Sequence, residues 1–88
     1  MSTPVETERR HRIRLSVAAY AYEFENTSIM PDADFDDLAK LIDPQVSTGH
    51  AVMDQFFLTE FQPDTGQWIH KHPELDKVKQ LYHKVYKS

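Results

Sequence analysis

The chain has 88 residues, 40% of them apolar, and a formal net charge of −4; this length fits one small domain with a single core. No apolar run approaches the roughly 18 to 20 residues of a membrane-spanning helix, and the opening "MSTPVETERRHRIR" lacks the apolar centre of a signal peptide, so the expected location is the cytoplasm. The absence of cysteine excludes disulfides, thiolate metal sites and a cysteine nucleophile.

The charge is segregated along the chain. Residues 1–22 hold four Arg and two Glu, residues 23–64 hold ten acids against Lys40 alone, and residues 65–88 hold five Lys and two acids. An acidic middle between basic ends is unlike the continuous basic footprint of a nucleic-acid binder. It directs attention to a cationic partner for the middle segment.

Residues 1–5 read as a disordered start, and a first helix is expected over about 6–25. Thr7 or Thr3 would cap it, and Ile13, Val17, Tyr20 and Phe24 would form its buried stripe. Tyr20 and Tyr22 stand two positions apart, so one is expected in the core and the other exposed. Asn26-Thr27-Ser28 ends the helix, because these side chains compete for backbone hydrogen bonds. Pro31 marks the next boundary, and a second helix is expected over about 32–43. Phe35, Leu38, Leu41 and Ile42 face inward from it, and Asp32, Asp34, Asp36 and Asp37 gather at its start, where the helix dipole favours them.

Asp43-Pro44 stops that helix. Ser47 is a plausible cap for a third, running to about Phe61 with Val52, Met53, Phe56 and Phe57 inward. "QPDTGQ" reads as a turn in which Pro63 fixes φ, Asp64 bonds locally and Gly66 takes positive φ. Trp68 and Ile69 follow as a short anchor. Pro73 would open a last helix to about residue 86, with Leu75, Val78, Leu81, Tyr82 and Val85 as its stripe and Lys84 and Lys87 at its end. With no period-two alternation, the expected fold is all-α: a compact bundle of three to four short helices on an N-terminal hairpin. Residues 6–43 form that hairpin and residues 44–88 the added helices, within one domain.

The stretch "AYAYEFENTSIMPDADFDDLAKLI" resembles the N-terminal helical (Ia) domain of bacterial NAD-dependent DNA ligases. Tyr20, Tyr22, Pro31, Asp32, Ala33, Asp36 and Leu38 match that family's pattern without a gap, and Asp34 replaces its Glu. Glu23 stands where the family has His, and Phe35 where it has Tyr. The similarity covers about residues 10–42. It implies a helical pair that closes over the nicotinamide mononucleotide half of NAD, with Tyr22 stacking on the ring and Asp32 and Asp36 meeting its cationic and hydroxyl groups. No Lys-containing adenylation motif is present, so a ligase is not expected. Small stand-alone proteins with this similarity look like bacteriophage products.

The expected function is therefore a non-enzymatic, phage-type protein whose acidic hairpin engages a host protein, with inhibition of a nucleic-acid enzyme as one such role. The candidate binding residues are Tyr22, Glu23, Asp32, Asp34, Phe35, Asp36 and Asp37. Binding of NAD or nicotinamide mononucleotide is the alternative, and nucleic-acid binding through the basic ends comes third. The five histidines read as surface residues, with no catalytic or metal-ligating set. The Arg9 to Arg14 cluster reads as solvated or as balancing the acidic segment.

Overall fold

Thr3 sets the start of the first helix in the computed structural model, which describes residues 3–86. Its hydroxyl accepts from the Glu6 N–H at 3.1 Å, and Pro4 follows at a position where a missing N–H costs nothing. Helix α1 (Pro4–Phe24) therefore begins earlier than the sequence pattern implied, and Pro4 and Val5 are helical. Met1 and Ser2 lie outside the described residues. At about 1.5 Å per residue the 21 residues of α1 span roughly 30 Å. That matches the 31 Å long dimension of the molecule.

Three further α-helices follow among the described residues: α2 (Asp32–Leu41), α3 (Ala51–Thr59) and α4 (Leu75–Tyr86). A 3-10 helix, Gln67–Lys71, lies between the last two, and the described residues contain no strand. The fold is all-α, as expected. Helix α1 is the hub, packing against α2, the 3-10 helix and α4.

This role as hub corrects the buried stripe expected for α1. Ile13 is 51% exposed and Phe24 42% exposed, while every residue from Leu15 to Ala21 is buried. A helix with neighbours on several sides has no single apolar face. The small side chains of Ser16, Ala18, Ala19 and Ala21 let those neighbours approach. The same correction applies at Leu41, Val52, Leu81 and Val85, which are exposed although their spacing pointed inward. Leu38 and Ile42 from the α2 segment are buried, as are Phe56, Phe57, Val78 and Tyr82.

Two capping expectations also change. His50, not Ser47, caps α3, its Nδ1 accepting from the Met53 N–H at 3.3 Å. Helix α4 begins at Leu75, and Pro73 and Glu74 form the turn before it. Lys87 lies outside the described residues. The core below α1 is aromatic. Phe57 contacts Phe56, Phe61 and Trp68 with ring centroids 5.3 to 5.7 Å apart, and the Trp68 indole N–H donates to the Thr65 carbonyl at 2.7 Å.

Candidate binding cleft

Tyr20 and Tyr22 divide as their spacing requires. Tyr20 is 4% exposed, stacks on Phe24 and meets Tyr82 at a tilt, while Tyr22 is 62% exposed. The Tyr20 hydroxyl donates to Glu25 at 2.8 Å. Burial, then this carboxylate, pushes its pKa up to about 12, so it stays a neutral core group.

The chain leaves α1 through Asn26, which takes the left-handed conformation at φ 52°; Asn tolerates this region better than most side chains. The Thr27 N–H returns to the Ala21 carbonyl at 3.0 Å. The Ser28 hydroxyl then donates to the Met30 carbonyl at 2.6 Å. Pro31 caps α2 without a side-chain bond, which sets Asp32 in the first turn beside the end of α1.

A third segment completes the site. The turn before the 3-10 helix folds back so that a Cβ on Gly66 would lie 3.6 Å from Ala19 and 3.7 Å from Phe35. Gly66 does not take the expected positive φ; its φ is −101°. The Asp64 side chain does not bond locally either. Instead the Thr65 hydroxyl accepts from the Gln67 N–H at 3.2 Å.

Together these segments enclose a cleft of about 400 Å³. Five of the seven candidate residues line it: Tyr22, Glu23, Asp32, Phe35 and Asp36. Asp34 and Asp37 are exposed on α2 but do not line it. Asp64, Thr65, Gly66 and Gln67 form the opposite wall, which sequence reasoning missed. Their place depends on the long-range contact of Gly66 with Ala19 and Phe35, and no local pattern signals that contact.

The lining residues differ in how free they are. Phe35 is half-buried and packs against the core as much as it faces the cleft. The Glu23 carboxylate is held 2.9 Å from His70 Nε2, whose ring rests on Phe24 at 4.6 Å. Asp32, Asp36 and Asp64 form no hydrogen bond or ion pair through their side chains with the described residues. Three uncompensated carboxylates thus stand around one exposed phenol ring. That arrangement suits a cation.

A second polar centre is structural. Arg12, 3% exposed, donates to Glu8 at 2.6 Å, Asp54 at 2.9 Å, and the carbonyls of Asp43 and Val46 at 3.0 and 3.1 Å. Its guanidinium also lies 4.9 Å from the centre of the Phe57 ring. Burial works against ionisation of Asp54. The hydroxyl and N–H of Thr48, together with Arg12, outweigh it and hold the carboxyl below its ordinary range. Arg9 donates to the Thr48 carbonyl. Two members of the arginine cluster therefore fasten the 42–48 loop to α1, which the charge pattern did not reveal.

His72 corrects the reading of all five histidines as surface residues. It is 7% exposed, against Phe56 at 5.2 Å, and burial lowers its pKa to about 4. Among the described residues no three or more His, Asp and Glu side chains converge as metal ligands would. No helix there is long and apolar enough to cross a membrane. No protein-family model, curated protein or solved structure matches the chain.

Proposed function

We propose that the chain is a non-enzymatic binding module whose cleft takes a Lys or Arg side chain from a partner protein. The observation that carries this reading is the convergence of Asp32, Asp36 and Asp64 beside the exposed Tyr22 ring, with no cation from the described residues to neutralise them. A guanidinium or ammonium entering there gains charge-assisted hydrogen bonds. Over the ring it gains a further ~0.5 to 1 kcal/mol. The ligase-like hairpin makes a phage origin the natural setting. The partner is then a host protein with a basic face, such as a nucleic-acid enzyme.

The test is capture from a bacterial host lysate, followed by affinity measurement with the identified protein. Asp32→Asn, Asp36→Asn and Asp64→Asn combined should abolish capture while circular dichroism stays unchanged. Capture by the triple variant equal to that of the wild type refutes the assignment.

Nicotinamide mononucleotide is a second reading. It is supported by the presence of Tyr22, Asp32 and Asp36, the residues that carry the ligase resemblance, on a single cleft. A titration to millimolar nucleotide, followed by amide shifts of these three residues, decides it; unchanged spectra exclude it.

A further inference from the structure

A separate pocket lies between α1 and α4, and none of its residues lines the acidic cleft. Its volume is about 220 Å³ and its walls are mainly Val17, Met53, Val78 and Leu81. Two uncharged polar side chains, Ser16 and His72, also line it, with Arg12, Glu74 and Lys77 as its charged residues. Ser16 is 2% exposed and its hydroxyl has no partner. A helical serine commonly bonds the carbonyl four residues back, and buried side-chain polar groups are overwhelmingly paired. This hydroxyl is an exception, closed off from solvent in a residue that lines the apolar pocket.

His72 contributes a donor. Its Nδ1 accepts from the Glu74 N–H at 3.0 Å. The ring is neutral near pH 7 because burial disfavours its charged form, so the proton sits on Nε2. That N–H makes no hydrogen bond with the described residues.

The charged groups at the rim are already engaged. Lys77 pairs with Glu74 at 2.7 Å, and every guanidinium nitrogen of Arg12 has an acceptor. An ionised ligand would find no free counter-charge there. Size narrows the occupant further. A water accounts for roughly 30 Å³, whereas an apolar cavity of roughly 150 Å³ holds a benzene-sized guest.

We propose that this pocket binds a small uncharged molecule of the phenol class. Its ring lies against Val17, Met53, Val78 and Leu81, its oxygen accepts from His72 Nε2–H, and a turn of the Ser16 side chain to another staggered rotamer brings that hydroxyl to the same oxygen. The site is independent of the acidic cleft and of the function proposed for it.

The test uses the full chain, titrated with phenol and separately with toluene and followed by amide shifts. Saturable shifts at Ser16, Val17 and Val78 are expected, with phenol binding about three- to tenfold more tightly than toluene, the worth of one neutral hydrogen bond. Ser16→Ala introduces a better helix former and should keep the fold by circular dichroism while reducing that preference. Absence of saturation, shifts scattered elsewhere, equal binding of the two probes, or an undiminished preference in Ser16→Ala would each overturn the proposal.

Discussion

At the scale of single residues, the same side-chain type takes opposite roles according to what surrounds it. Tyr20 is a neutral core phenol with its hydroxyl on Glu25, while Tyr22, half a turn away, offers its ring to the cleft. His72 is buried and neutral, whereas His70 is exposed and holds Glu23. This contrast yields a pH prediction. The His72 pKa is lowered from an ordinary 6.5 to about 4 in the folded chain, so the unfolded chain takes up a proton first as pH falls. Its contribution is fully present above about 6.5 and is lost between there and about 4, at a cost on the order of 3 kcal/mol. Urea unfolding across that window should show the decline, and His72→Phe should flatten it. An equally steep decline in the variant would remove His72 as its cause.

At the scale of elements, the Arg12 network holds the α2–α3 connection in place. Glu8 accepts from both Arg12 and the Asp43 N–H, and Asp54 accepts from Arg12 and Thr48. Arg12→Met would leave the buried Glu8 and the half-buried Asp54 without their cation, a loss of about 3 kcal/mol. A domain of this length has on the order of 4 to 13 kcal/mol in total, so a lowered urea midpoint is expected, measurable at neutral pH. A midpoint unchanged from wild type would mean that the loop is held by other contacts. The sequence shows the elements better than it shows these cross-links. Helix ends were legible where the signal is local, as at Asn26-Thr27-Ser28, Pro31 and Asp43-Pro44. Burial on α1 was not, because a hub helix buries residues all round and leaves no stripe. Five residues of the cleft were legible because Tyr22, Glu23, Asp32, Phe35 and Asp36 lie on two helices joined by a short turn. Asp64 was not, because it arrives from a segment about thirty residues further along.

At the scale of the whole molecule, the two proposed sites divide the available physics between them. The acidic cleft draws on the charge segregation of the chain, with its excess of carboxylates between residues 23 and 64. The α1–α4 pocket draws on apolar area and two neutral polar groups, with its rim charges already paired. Their responses to salt must therefore differ. Screening shortens from about 10 Å at 0.1 M to about 3 Å at 1 M ionic strength, which weakens attraction between exposed charges and leaves apolar burial intact. A lysine-rich peptide titrated against the chain should bind several-fold more weakly as sodium chloride rises from about 0.05 M to about 0.5 M. Phenol affinity over the same range should hold steady or rise slightly. The Asp32→Asn, Asp36→Asn, Asp64→Asn variant should bind the peptide weakly at both salt concentrations and phenol as the wild type does. Peptide binding that ignores salt, or a triple variant that also loses phenol, would show that the carboxylates do not form a separate electrostatic site.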